Sequence, residues 1–304
     1  MKKIIFIGGS GFIGRSYLDA YNRGVLKEFK IKKIYVISRN PGKLKKHKSL
    51  IGKNIKLIKG DISKIKKIPS SDVVIYGAEN VSPKKYKNKK KVIDKHIKAI
   101  NNFCKIIKKH KKTRVLYISS GAVYAIDNNV KNISSYKGIY GFLKKYSENR
   151  ILELSRFKIK TTIARCFSFI GPWLSREEHY AIGNFINDGL KGRYIKVKAK
   201  NKIVRSYMYT DDLAYWLTKI SLNAKIKNSI YDVGSSKPIE IRKLAKLIGK
   251  LFNKPVKKNK IESGKIEKYL PNIRKAQKEL NLKINYNLMN SVYLTINSIN
   301  EKIN

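Results

Sequence analysis

Two cysteines in 304 residues, Cys104 and Cys166, stand far apart with no histidine at a metal-ligand spacing. That scarcity argues against a disulfide framework and against a zinc site, and a reduced, cytoplasmic compartment is the simplest expectation. Long apolar runs are missing as well. No stretch reaches the ~20 residues that a membrane span requires. The opening Met1-Lys2-Lys3 and the apolar run behind it imitate a signal peptide. Glycines interrupt that run, however, Arg15 closes it, and no small-residue cleavage site follows. No fixed-period repeat and no low-complexity linker divides the chain.

Acidic residues are also few, 20 against 69 lysines and arginines, for a net charge of +49. A charge of this size raises the possibility of nucleic-acid binding. Lysine nevertheless crowds the whole chain rather than one segment, and it far outnumbers arginine, the residue that base readout favours. Runs such as Lys84-Lys85, Lys89 to Lys91 and Lys108 to Lys112 read as solvated faces or loops. No dedicated nucleic-acid partner is expected, although the positive field would attract anionic substrates such as nucleotides. A hydrophobic content of 42% and an aromatic content of 10% are ordinary for a folded globular chain.

What is present is a series of short unbroken apolar runs. Ile4–Ile7, Ile34–Ile37, Ile55–Ile58, Val73–Tyr76, Arg114–Ile118 and Thr161–Arg165 read as strands, and Ile203–Tyr209 and Ile230–Val233 as two more. Helical patterns fall over Phe12–Tyr21, Val92–Lys109, the Tyr140 region, Asp212–Leu222 and Ile239–Phe252, and Arg176–Arg193 contains one through Ile182–Ile186. From Asn272 onward the chain is mostly helical. Such alternation predicts an α/β fold, a Rossmann-type doubly wound parallel sheet with a smaller C-terminal substrate-binding lobe. The dinucleotide-binding domain is expected at 1–167, with 203–235 returning to it, and the smaller lobe at 168–202 and 236–304. Ile97, Ile100, Phe103 and Ile107 give the second helix an apolar stripe, suited to a partner helix or to the chain's own core.

The turn after the first strand carries Gly8, Gly11 and Gly14. Its backbone amides and the first helical residues, Phe12 and Ile13, can cradle a pyrophosphate. The second strand ends in Ser38-Arg39-Asn40, where an acidic residue would accept the ribose hydroxyls of NAD. Arg39 suits a 2′-phosphate instead, so NADP(H) is favoured over NAD(H). The third strand ends at Asp61-Ile62 and the fourth at Gly77-Ala78. Tyr140 and Lys144, four apart on a helix, share a face, and the ammonium would lower the phenol's pKa. Ser120, brought from a separate strand end, can hold the same substrate oxygen. Together they form an acid/base set for a carbinol or carbonyl beside a nicotinamide.

In combination these residues resemble the extended short-chain dehydrogenase/reductases, the nucleotide-sugar epimerases, dehydratases and reductases. Gly8-x-x-Gly11-x-x-Gly14, Asp61-Ile62, Ser120-x-x-Val123-Tyr124 and Tyr140-Gly141-x-x-Lys144-x-x-x-Glu148 match that family. So do Arg165 to Pro172, Arg205 to Ala214, Tyr231 to Gly234 and Tyr269 to Asn272. The resemblance implies a dinucleotide contacting Gly8, Gly11, Phe12, Ile13, Gly14, Asp61, Ile62, Ala78, Tyr140 and Lys144, with Tyr140 as general acid/base. Lys144 would hold the ribose, and Ser120 the reacting oxygen. It implies a nucleotide sugar near Ser168, Asn184 and Arg205, with Arg205 on the diphosphate, and a homodimer formed across the Val92 and Tyr140 helices.

Departures narrow the reaction. Family dehydratases and decarboxylases carry an acid between the catalytic hydroxyl and the Val-Tyr pair, and reductases that also epimerise carry a cysteine. Here Gly121 and Ala122 can do no proton chemistry. What remains is NADPH-dependent reduction of a nucleotide-linked 4-keto-sugar, or 4-epimerisation with resident NAD, with dehydration behind both. The non-enzymatic alternative is a basic nucleotide- or nucleic-acid-binding protein.

Overall fold

Isoleucine and valine dominate the apolar runs of the N-terminal half, and their β-branched side chains suit a sheet covered on both faces. The computed structural model describes residues 2–79, 88–127, 135–177, 180–225, 229–262, 264 and 266–301. The elements run β1 (Lys2–Ile7), α1 (Phe12–Asn22), β2 (Ile31–Ser38), α2 (Gly42–Lys45), β3 (Ile55–Lys59), β4 (Val73–Tyr76) and α3 (Lys89–Ile107). Next come β5 (Arg114–Ser120), α4 (Val123–Asp127), α5 (Tyr136–Leu152), β6 (Thr161–Cys166), β7 (Phe169–Ile170) and α6 (Ala181–Lys191). Then follow β8 (Ile195–Val197), β9 (Lys202–Arg205), β10 (Met208–Tyr209), α7 (Thr210–Leu222) and β11 (Ser229–Val233). The chain finishes with β12 (Ile239–Glu240), α8 (Ile241–Leu251), β13 (Val256–Lys258), β14 (Ile266–Tyr269), α9 (Arg274–Leu280) and α10 (Leu288–Asn300).

Seven strands form one sheet in the order β11-β6-β5-β4-β1-β2-β3, every pair parallel. The expected Rossmann-type α/β architecture is therefore present. The order reverses between β1 and β4, and a crevice at such a switch point, beyond the carboxyl ends of the strands, is where open α/β sheets bind ligands. Ile7 pairs in register with both Ile37 and Tyr76, so Gly8, Ser38 and Gly77 emerge side by side at that edge.

Alternation along β1 assigns its side chains to two cores. Ile4 and Phe6 pack with Tyr17, Leu18 and Trp216 on one face. Ile5 and Ile7 pack with Phe103, Ile107 and Tyr117 on the other. A third cluster joins Ile182, Phe185 and Ile186 of α6 to Leu244 and Ile248 of α8.

Of the two covers expected for the α3 stripe the structure shows the chain's own core, and two further details differ from the reading of the sequence. Ile100, Phe103 and Ile107 of the α3 stripe are spent on the chain's own core, so three of its four residues leave nothing for a partner helix. The run Ile203–Tyr209 is two strands. β9 lies between β12 and β14, while β10 pairs with β7, the chain breaking at the buried Ser206-Tyr207. Finally, β14 had no counterpart, because Ile266–Tyr269 holds two adjacent charged residues, Glu267 and Lys268, at a partly exposed position. Lys89 to Lys91 and Lys108, Lys109, Lys111 and Lys112 are exposed, while Lys84 and Lys85 lie outside the described residues. Among the described residues no helix is long and apolar enough to cross a membrane.

Candidate active site

A cleft of about 1710 Å³ opens along the carboxyl edge of the sheet and runs toward the α6 lobe. The glycine turn forms one wall. Gly8 takes φ +87°, and a Cβ there would lie 2.6 Å from Ala78 Cα. A Cβ on Gly14 would lie 2.3 Å from Gly9 Cα, so the helix start sits directly against the turn. Gly11 is the N-cap of α1 and carries no side-chain cap. The first-turn amides therefore face the cleft at the positive end of the helix dipole, lined by Phe12 and Ile13. A cradle from which side chains are excluded fits a dinucleotide pyrophosphate.

The opposite wall holds the candidate acid/base set. β5 delivers Ser120 at its last residue, and Ser135 caps α5 by accepting from the Gly138 amide at 3.1 Å. Tyr140 and Lys144 both line the cleft from α5, with the Lys144 ammonium 5.8 Å from the Tyr140 ring centre. Ser120 Oγ accepts from the Ala122 amide at 3.2 Å and lies 3.1 Å from the Tyr269 hydroxyl. The α5 helix is fixed from below. Glu148 is buried, accepting from Ser119 Oγ at 2.6 Å and bidentately from Arg165 at 3.0 and 2.7 Å. The helix that carries the candidate acid/base pair is thereby tied to β5 and β6.

Ser168, Asn184 and Arg205 line the far end of the same cleft. Arg205 stands opposite Tyr269 in the β9–β14 ladder, its guanidinium 5.5 Å from that ring. It is ion-paired with Glu267, which also faces Lys137 at 3.8 Å. Burial alone would raise the Glu267 carboxyl, but Arg205 and Lys137 hold it below the usual carboxylate range.

Arg39, Asp61, Ile62 and Ala78 cluster at the ends of β2, β3 and β4, beside the glycine turn and outside the cleft lining. Arg39 is exposed. Ser38 Oγ meets Ser10 Oγ at 2.6 Å, and no carboxylate occupies positions 38 to 40. Asp61 Oδ1 accepts from the Ser63 amide at 3.0 Å and hydroxyl at 2.7 Å. Burial pushes that carboxyl up, yet these hydrogen bonds, with Lys95 and Arg39, bring it below its ordinary value.

Three cleft residues escaped the sequence reading as site residues. Glu79 follows the strand-end pair Gly77-Ala78 by a single position. Tyr269 and Glu267 arrive on β14, whose pattern gave no strand signal.

Residues 4–234 match the NAD dependent epimerase/dehydratase family. The chain belongs to that family. Over 292 residues it is 25% identical to UDP-glucuronic acid decarboxylase 3 of Arabidopsis thaliana, covering 91% of this chain and 83% of that one. Its fold is similar to that of UDP-N-acetylglucosamine 4-epimerase from Methanobrevibacter ruminantium, with a TM-score of 0.82, 19% identity and 99% of both chains covered. A dTDP-glucose 4,6-dehydratase from Streptomyces venezuelae, solved with NAD, superposes with a TM-score of 0.80 at 17% identity, covering 98% and 97% of the two chains.

Proposed function

We propose that this protein reduces a nucleotide-linked 4-keto-sugar with NADPH. The observation that carries the reading is a cleft in which Ser120, Tyr140 and Lys144 converge while positions 121 and 122 hold no proton-handling group. The absence at 121 is enforced by packing, since a Cβ on Gly121 would lie 2.6 Å from the Phe167 ring. Among the described residues neither position 121 nor 122 offers an acid to take the proton beside a ketone that dehydration requires.

When bound, the dinucleotide supplies the hydride. The chain's own residues do the rest. The Ser120 hydroxyl donates to the sugar carbonyl oxygen and orients it, and Tyr140 passes its phenolic proton to that oxygen as negative charge develops. Lys144 stabilises the phenolate that results. Arg205 meets the diphosphate in this reading once Glu267 yields it. Arg39, exposed at the end of β2 with no neighbouring carboxylate at positions 38 to 40, suits the 2′-phosphate of NADPH.

The second reading is 4-epimerisation with resident NAD. It needs the same three residues, and a 4-epimerase and an NAD-bound enzyme stand among the structural relatives. Incubation with NADPH and either UDP- or dTDP-4-keto-6-deoxyglucose tests the choice. Stoichiometric dinucleotide oxidation, abolished by Tyr140→Phe, is expected. Interconversion of UDP-glucose and UDP-galactose without net oxidation would support the epimerase.

A further inference from the structure

Beneath the candidate acid/base pair lies a buried charge cluster that the reaction as proposed leaves unused. Lys144 Nζ donates to the Ile118 carbonyl at 2.6 Å and pairs with Glu79 Oε2 at 2.5 Å, the two side chains being 4% and 5% exposed. The other Glu79 oxygen accepts from the Tyr117 hydroxyl and lies 3.9 Å from His96 Nε2. His96 in turn meets Ser147 Oγ at 2.7 Å. The segment after β4, strand β5, helix α3 and helix α5 each contribute a residue, so the geometry is fixed from four sides. Glu79 also lines the cleft.

Two physical consequences follow. An ammonium has three N–H groups, and two are taken, so Nζ can offer only one toward a ribose or Tyr140. The carboxylate also offsets the cation. A phenol facing a close ion pair experiences a weaker positive potential than one facing a bare ammonium.

We infer that Glu79 is a positioning residue of this site, seating the Lys144 ammonium and offsetting its charge so that the Tyr140 phenol rests protonated and ready to donate. The inference rests on the proposed acid/base roles of Tyr140 and Lys144. A resting phenol matches a reductase, which must deliver a proton with each hydride. Among the described residues, the titratable groups that feel the charge of Glu79 or Lys144, namely Tyr76, Tyr117, His96 and Cys166, are neutral near pH 7. Burial, then Glu79, raises Tyr76 and Tyr117 well above the usual phenol range. Burial pushes the Cys166 thiol up to about 12, with Lys144 opposing. Burial lowers His96 despite Glu79. Replacing Glu79 therefore changes a single charge.

The test is a pH titration of protein labelled with 13C at the tyrosine ζ carbons, the Tyr140 signal being assigned by its loss in Tyr140→Phe. Glu79→Gln is expected to lower the Tyr140 midpoint by about one pH unit, and Glu79→Asp to restore most of the difference. Lys144→Met removes the cation and should raise the same midpoint. A Tyr140 midpoint indifferent to Lys144→Met contradicts the acid/base reading itself. A midpoint that answers to Lys144→Met yet is unchanged or raised by Glu79→Gln overturns the role of Glu79 alone. Circular dichroism of each variant confirms that folded protein is compared.

Discussion

The Tyr269 hydroxyl lies 3.1 Å from Ser120 Oγ, joining the last residue of β14 to the last residue of β5 across the cleft. Burial pushes the Tyr269 phenol up to about 12, with the Ser120 hydrogen bond opposing, so it is a neutral hydroxyl at working pH. In the proposed reaction it orients Ser120. Tyr269→Phe removes the contact with Ser120, worth ~1 kcal/mol, together with a long bond of 3.4 Å to the Cys166 carbonyl. Turnover should fall about five- to tenfold with dinucleotide affinity unchanged, as measured by steady-state kinetics beside calorimetry.

The Arg205–Glu267 ion pair sets a second expectation. An anionic ligand must compete with Glu267 for the guanidinium, so Glu267→Gln should tighten binding of uridine diphosphate about three- to tenfold. The carboxyl is held below its ordinary range, so the pair persists through neutral pH and is lost only as pH falls through that lowered value. The advantage of the variant over the parent should therefore vanish at acid pH. Isothermal titration at two pH values measures both effects.

Glu148 is buried with hydrogen bonds from Ser119 and Arg165, and it holds α5 to the sheet. Removing one partner of such a pair leaves an uncompensated buried charge, at a cost of about 3–5 kcal/mol. Glu148→Ala should lower the thermal midpoint sharply. A midpoint within a degree or two of the parent's would contradict the bracing role.

Gly121→Asp should not create a dehydratase. The new Cβ would meet the Phe167 ring at 2.6 Å, and that ring stacks on Tyr269 at 4.6 Å. Loss of stability and of reductase activity together is expected, with no unsaturated sugar product by mass spectrometry. Dehydratase activity in the variant would show that the room for an acid exists.

Much of this was written in the sequence because the parallel strands are buried on both faces. The apolar run Val73–Tyr76 coincides with β4, and Gly8 and Ser120 emerge at the same sheet edge because one follows and the other closes such a strand, while Tyr140 and Lys144 reach the cleft from α5. What stayed hidden depends on tertiary pairing. Glu267 and Tyr269 reach Arg205 only through the β9–β14 ladder, between residues 62 apart in sequence for Arg205 and Glu267. Glu79 looked like one acid among 20 until Lys144, Tyr117 and His96 were seen around it. The α3 stripe had two possible covers, and periodicity cannot say which one it meets.

The proposal stands most directly on the dinucleotide that the purified protein carries and prefers. Release of any bound cofactor, its identification by mass, and titration of the emptied protein with NADPH and NADH decide the matter. The account predicts an exchangeable site that binds NADPH more tightly than NADH, with Arg39→Asp erasing the preference because a carboxylate repels the 2′-phosphate. Stoichiometric NAD that never exchanges, or a preference untouched by Arg39→Asp, would contradict it.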